Sequence, residues 1–266
     1  MAGLLQLLVQ ILPLWRINRL PIPKVNLNNS GLKKFLRLIF PAILAGGIIQ
    51  INLLVDTIFA SLLETGSPTW LYVSDRLIQF PMGIFAIAIG TILLPTLSKY
   101  DLGYEKDKFI NSLQKGQKFV LYIGVPCLIG LFFCAEDLVS TIFYRGAFTE
   151  KDVINSSYSL MAFSFGLPFF MLMKVLTPAF FARKDTTTPM FVAFLSLILN
   201  ASLNYYLAFV LDFGHVGIAI GSSLAAFISV CILEIMLYKN GFIKLISIIN
   251  IFNLNIIISS LFLIAF

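Results

Sequence analysis

Residues 69–97 read TWLYVSDRLIQFPMGIFAIAIGTILLPTL, a run whose only charged side chains are Asp75 and Arg76. As a helix rising about 1.5 Å per residue, this stretch exceeds the roughly 30 Å hydrocarbon core of a bilayer. A soluble core helix of that length would carry a polar face alongside its apolar stripe. This run has none, so it reads as a membrane span, and that reading decides the fold class.

The same pattern recurs outward in both directions. Further spans are expected over residues 35–63, 118–135, 153–182, 189–211, 216–238 and 242–266. The expected fold is all-α: a polytopic transmembrane helical bundle of seven full spans, preceded by a partial N-terminal helix. Residues 1–34 read as the tail of a transmembrane helix and a basic cytoplasmic linker, and residues 35–266 as one transmembrane lobe. The opening apolar run lacks the basic n-region and small-residue cleavage site of a signal peptide. It reads instead as the end of a longer helix whose beginning is absent.

Composition agrees. Of 266 residues, 59% are hydrophobic and 12% charged, half the complement of about 25% that soluble domains carry. The mean hydropathy is +0.93.

Local signals punctuate the spans. Ser67-Pro68 and Thr188-Pro189 predict a helix cap followed by proline. Thr149 and Asp152 stand at capping-box spacing, and Asn240-Gly241 predicts a helix stop. Residues 98–117 read as a polar loop. Pro41, Pro81, Pro126, Pro168 and Pro178 fall inside spans, where kinks supply hinges in transporters. Gly217, Gly221 and Ala225 form a small-residue packing face.

The net charge of +6 lies in the connections between spans. With the first basic stretch in the cytoplasm and sides alternating, cytoplasmic loops and helix ends carry 15 of the 19 Lys and Arg residues. The opposite loops hold only Arg145 and Lys151, a strong positive-inside asymmetry. Nucleic acid is not an expected partner, because basic and aromatic residues do not interleave as they do in nucleic-acid modules. Cys127, Cys134 and Cys231 sit in apolar runs without metal-ligand spacing, and His215 is the single histidine. No phosphate loop, nucleophile elbow or HExxH motif is present, so catalysis is not expected.

The informative residues are the polar ones inside spans. Asp75 and Arg76 would cost about 2.5 to 3.5 kcal/mol each at a lipid-facing helix centre. Arg76 shares a helix side with Gln79 and Gly83, which predicts a polar, close-packed stripe lining a cavity. There the guanidinium fork suits an anionic group such as phosphate, and a structural ion pair with another helix is the alternative. Asp56 has Asn52 one turn away, and Ser196, Asn200 and Asn204 form an i, i+4, i+8 ladder. Carboxylate and amide oxygens converging between helices could hold a sodium ion, with plain interhelical hydrogen bonding the other reading. Lys174 and Glu234 lie near cytoplasmic helix ends and are expected to snorkel to water.

Five ordered segments carry a family resemblance: residues 51–61 (INLLVDTIFAS), 66–81 (GSPTWLYVSDRLIQFP), 90–98 (GTILLPTLS), 145–149 (RGAFT) and 182–189 (ARKDTTTP). They resemble the MurJ/MviN family of lipid II flippases, within the multidrug/oligosaccharidyl-lipid/polysaccharide exporter superfamily. The resemblance implies one lobe of a two-lobed bundle of fourteen helices around a cavity that opens alternately to either face. It places this chain from the end of the sixth helix to the thirteenth, in the C-terminal part, in the bacterial inner membrane. The implied substrate is a lipid-linked peptidoglycan precursor, with Arg76, Asp75 and Gln79 at the binding surface. The resemblance also puts Asp56, Asn200 and Asn204 at a sodium site of that lobe, sodium being the one implied cofactor. The implied partners are membrane lipids and a separately encoded N-terminal lobe. A flippase for another undecaprenyl-linked saccharide, a cation-coupled exporter, and a truncated, non-transporting remnant stay open as alternatives.

Overall fold

A computed structural model of the chain describes residues 2–17 and 30–243. The chain divides into two units, Met1–Arg37 and Leu38–Phe266. Within the first, α1 (Ala2–Arg16) ends on Arg16, a cation at the negative pole of the helix dipole.

Helix α2 (Ser30–Ser61) contributes its segment Leu38–Ser61 to the second unit. There follow α3 (Ser67–Pro81), a π-helical segment Met82–Ile87, α4 (Ala88–Leu102), α5 (Lys106–Phe133) and the short α6 (Ala135–Phe143). The long α7 (Glu150–Ala182), α8 (Thr187–Tyr205), a second π-helical segment Tyr206–Val210, and α9 (Gly214–Lys239) complete the bundle. Six helical segments among the described residues are long and apolar enough to cross a membrane. The sequence predicts seven full spans; the last, over residues 242–266, falls outside the described residues after Ile243.

Helices α7 and α9 form the centre. Helices α3, α4, α5 and α6 pack on α7, while α8 and the second π segment pack on α9. The choice of centre follows from small side chains. On α7, Ser156, Ser157, Ser159, Ala162, Ser164 and Gly166 are all buried, and a Cβ added at Gly166 would stand 2.6 Å from Ser223 Oγ of α9. On α9, the predicted small-residue face meets α8 and the π segment, with Gly217 against the Leu207 and Ala208 backbone and Gly221 against Asn204. Without a hydrophobic force between helices in lipid, such close backbone approach is what holds a bundle together.

Several local expectations shift. Residues 98–117 are not a loop: α4 continues to Leu102 and α5 begins at Lys106, joined by a tight turn with Tyr104 at φ 55°. The polar residues there mark where helices leave the hydrocarbon, not where they end. The cap of α3 is Gly66 at φ 109° rather than Ser67, whose hydroxyl donates back to the Glu64 carbonyl. Glycine is required, since a Cβ there would lie 2.7 Å from the Trp70 ring. The Thr149–Asp152 capping box is present as predicted, and so is the stop at Gly241, φ 70°.

At α8 the N-cap position is Thr186, and the side chain that caps the helix is that of Asp185, one residue earlier, rather than Thr188. Asp185 Oδ1 accepts from the backbone N–H of Thr187 (3.1 Å) and Thr188 (3.0 Å), and Oδ2 accepts from the Thr188 hydroxyl (2.6 Å). Partial burial pushes the Asp185 carboxyl up, but the bonds from Thr188 and Thr187 outweigh it and hold the group below the ordinary carboxylate range. Its stabilisation is therefore complete above the ordinary Asp value and is lost as pH falls through the lower folded value. Asp185→Ala is expected to cost about 1 kcal/mol at neutral pH, the usual value of a cap. Thermal melts of both proteins should converge in strong acid, and a constant gap across pH would contradict this assignment.

Glu234 also departs from expectation. It does not snorkel; it is 8% exposed and accepts a hydrogen bond from the Gln117 amide of α5. Lys174 is exposed, as expected.

Candidate functional site

Two polar clusters lie within the spans. The first runs along the outer face of α3. Gln79 stands between the two charges: its Nε2 donates to Asp75 Oδ2, and its Oε1 accepts from Arg76 Nη1 at 3.3 Å. The guanidinium carbon lies 4.7 Å from the centroid of the Tyr72 ring, a cation–π contact on the same helix face. Arg76 is exposed, and no carboxylate comes within 4 Å of it among the described residues. One helical turn thus presents a guanidinium with its charge uncommitted, while the neighbouring carboxylate is occupied by the intervening amide.

The stripe differs from the expected one in a useful way. It is open rather than close-packed, because a Cβ at Gly83 would meet nothing within 4 Å. Just beyond Pro81 the backbone widens into the π segment Met82–Ile87. Proline lacks the N–H that a regular helix needs at this point, and single π turns recur at functional sites.

The second cluster joins α2 to α8. Asn200 Nδ2 donates to Asn52 Oδ1 (2.8 Å) and to Asp56 Oδ1 (2.9 Å), and Asn204 Nδ2 donates to the same Asp56 oxygen at 2.6 Å. Ser222 of α9 donates to Asn200 Oδ1 at 3.3 Å. Asn200 and Asn204 are fully buried, and Asn204 Oδ1 has no hydrogen-bond partner among the described residues. Asp75 lies within electrostatic reach of Asp56, so the two clusters share one region of the bundle. Sequence spacing indicated Asp56, Asn52, Asn200 and Asn204; Ser196, the first rung of the ladder, makes none of these bonds. Ser222 was missed. Its signal is the adjacent Gly221, which lets α9 approach Asn204.

An aromatic anchor fixes one end of the bundle. Trp70, 1% exposed, donates Nε1–H to Asp152 Oδ1 at 2.7 Å and packs edge-on against His215, with centroids 4.7 Å apart. His215 Nε2 bonds the Asn155 carbonyl at 3.1 Å. These contacts lock together the N-terminal ends of α3, α7 and α9. His215 is thereby structural, consistent with the absence of any His-based motif. Among the described residues, no group of three or more His, Cys, Asp or Glu side chains is placed to hold a metal.

The sodium reading can be tested on the donor set. The cluster offers one carboxylate, three amide oxygens and a serine hydroxyl, all hard oxygen ligands. As placed, both buried amides turn nitrogen toward Asp56. A half-turn about χ2 of Asn200 and Asn204 would turn their oxygens inward, since the oxygen and nitrogen ends of an amide occupy nearly the same space. The residue types fit a monovalent cation, and Asn204 Oδ1 is an acceptor in want of a partner among the described residues.

Comparison with known proteins adds three findings. The family model for lipid II flippase MurJ matches residues 1–266. A Vibrio cholerae protein named "Probable lipid II flippase MurJ" is 39% identical over 241 residues, covering 91% of this chain and 46% of the relative. The Haemophilus influenzae protein of the same name is 40% identical over 232 residues, covering 85% of this chain and 45% of the relative. Among solved structures, a MurJ in its inward closed conformation superposes with a TM-score of 0.73 at 28% identity, over 94% of this chain and 52% of that one. An outward-facing multidrug transporter of the MATE family shares the fold, with a TM-score of 0.71 at 18% identity over 80% of this chain and 47% of that one. The chain spans about half the length of the curated relatives it matches.

Proposed function

Because this chain belongs to the lipid II flippase MurJ family, we propose that it forms the C-terminal lobe of a flippase moving lipid-linked peptidoglycan precursor across the bacterial inner membrane. One observation carries the reading: Arg76 is exposed within a membrane span and uncommitted to any carboxylate among the described residues. A lone guanidinium facing lipid is unfavourable by about 2.5 to 3.5 kcal/mol, so the Tyr72–Arg76–Gln79–Gly83 face borders a wet cavity. Its fork of donors suits a pyrophosphate, whose oxygens accept two parallel N–H bonds. Gln79 supports that role by accepting from Arg76 Nη1 while donating to Asp75, which holds the guanidinium on this face of α3.

Alternating access needs two lobes that rock about a shared site. This lobe therefore works with an N-terminal lobe, whichever polypeptide supplies it. Proteoliposomes containing this chain with such a lobe should translocate fluorescent lipid II, and those containing this chain alone should not. Translocation by the single lobe would sink the two-lobe reading. Undecaprenyl-linked O-antigen units serve as the competing substrate, and preference for them would move the assignment to a different lipid-linked saccharide.

A second reading concerns coupling. The oxygen-rich set around Asp56 supports a sodium ion held by Asp56, Asn200 and Asn204, with Asn52 and Ser222 completing the shell. A bound ion would supply only charge compensation between α2 and α8. Sodium chloride is expected to raise the melting temperature of the purified chain relative to choline chloride. At tenfold excess over the dissociation constant the gain is about 1.4 kcal/mol. Asp56→Asn should abolish the difference; equal melting in both salts would leave the cluster a hydrogen-bonded joint and nothing more.

A further inference from the structure

The buried pair Gln117–Glu234 takes no part in either cluster. It links α5 to α9, the two helices that flank α7, and sits among Leu113, Val120, Leu121, Val175, Leu233 and Leu237 of the main apolar core. Gln117 is fully buried and Glu234 is 8% exposed. Gln117 Nε2 donates to Glu234 Oε1, yet Gln117 Oε1 and Glu234 Oε2 are both buried and find no partner among the described residues.

A carboxylate in apolar surroundings with one N–H donor and no counter-ion is costly. Among the described residues no Lys or Arg nitrogen lies within 4 Å of Glu234. The charged groups on neighbouring elements do not supply compensation. Lys106, Lys108, Lys115 and Lys118 on α5, Lys174 on α7, Lys99 on α4 and Lys239 on α9 are all exposed, and Arg183 at the end of α7 lies beside Asp101 and over the Phe242 ring. Helix α8 carries no Lys, Arg, Asp or Glu, and on α3 Asp75 is held by Gln79 while Arg76 is exposed. The titratable neighbour in electrostatic reach is the Cys231 thiol, one turn earlier on α9.

A single proton resolves both orphans. Placed on Glu234 Oε2, it donates to Gln117 Oε1, while Gln117 Nε2 continues to donate to Glu234 Oε1. The result is a closed, neutral acid–amide pair in which each carboxyl and amide oxygen has a partner. A metal cation would demand more oxygen ligands than the two free ones here. Both orphans therefore point to a proton rather than to an ion.

We propose that Glu234 and Gln117 form a proton-binding site in this lobe, exchanging one proton with water at the Lys-rich end of the bundle. Glu234 stands five residues before Lys239, where α9 ends, about 7 to 8 Å along the helix axis. Release leaves a carboxylate and passes the proton to water, so it requires water to reach the Gln117–Glu234 pair. Occupancy of the site thereby favours the dry, paired form, and an alkaline aqueous phase favours the hydrated one.

The test uses the purified full chain and does not depend on transport, so it stands or fails separately from the flippase reading. Infrared spectra at neutral pH should contain a protonated-carboxyl C=O band that vanishes in Glu234→Gln and shifts in Gln117→Leu. Dicyclohexylcarbodiimide, which attacks protonated buried carboxyls, should label Glu234 at neutral pH and progressively less at high pH, read by peptide mass spectrometry. Glu234→Gln mimics the neutral form and should melt within a few degrees of the wild type. Identical wild-type and Glu234→Gln spectra, absence of label at Glu234 at neutral pH, or a large destabilisation by Glu234→Gln would each overturn the proposal, the last by showing that the ionised form is the native one.

Discussion

Replacing Arg76 with alanine is expected to abolish rescue of a flippase-depleted strain by the two-lobe assembly while leaving the melting temperature of the lobe unchanged. The side chain is exposed, and its polar and cation–π contacts among the described residues are with Gln79 and Tyr72 on its own helix. Its removal therefore costs the fold little. Hydrogen bonds to a charged group contribute about 1.5 to 3 kcal/mol each, so loss of a bidentate contact should weaken pyrophosphate binding by roughly 100-fold or more. Arg76→Lys retains the charge without the fork and should fall between the two. Binding of lipid II measured alongside rescue separates the causes. If Arg76→Ala binds and rescues like the wild type, the residue is idle and the lobe acts as a scaffold. The companion change Gln79→Leu removes the amide oxygen that accepts from Arg76 and should weaken binding with the arginine still present.

The largest effect on folding is expected at Gly217. A Cβ there would stand 2.7 Å from the Leu207 carbonyl carbon, 2.8 Å from the Ala208 nitrogen and 2.9 Å from the Leu207 oxygen. All three are backbone atoms of the turn that enters α9's packing face, so no side chain can swing aside to relieve the clash. Gly217→Val must push α9 away from the π segment Tyr206–Val210. Overpacking of this kind costs about 1 to 3 kcal/mol, and more where the backbone cannot move. Unfolding in mixed micelles should show the loss as a lower midpoint, together with reduced folded yield. Gly83→Val is the control: its added atoms meet open space, so stability should hold while the α3 stripe narrows. Equal stabilities for the two variants would refute this account of the α8–α9 seam.

These two glycines look alike in sequence, each within an apolar span and each read as a close-packed position. Gly83 was expected to be close-packed and is open; Gly217 was expected to be a packing position and is one. The difference is set by whether a second helix happens to cross at that height. Glu234 repeats the lesson. Its position near a helix end implied snorkelling, yet the bundle places Gln117, 117 residues away in the chain, directly against it. A polar residue near a helix end has the same sequence signature whether it reaches water or is capped by a neighbour.

What the sequence determined by itself is local. Spans follow from the transfer of each apolar residue into hydrocarbon, a sum along one helix that needs no partner. The Thr149–Asp152 box and the stop at Gly241 follow from hydrogen bonds within a few residues of chain. Asp56, Asn200 and Asn204 could also be singled out, because a polar group in an apolar run must find a partner somewhere. Which partner it finds was decided only in three dimensions. Asn200 and Asp56 are 144 residues apart; glycines of α9 let α8 and its π segment approach closely, and α2 is joined to α8 there through the side chains of Asn52 and Asp56. Pairing between helices depends on the summed shape of many side chains, and no spacing within one span encodes it.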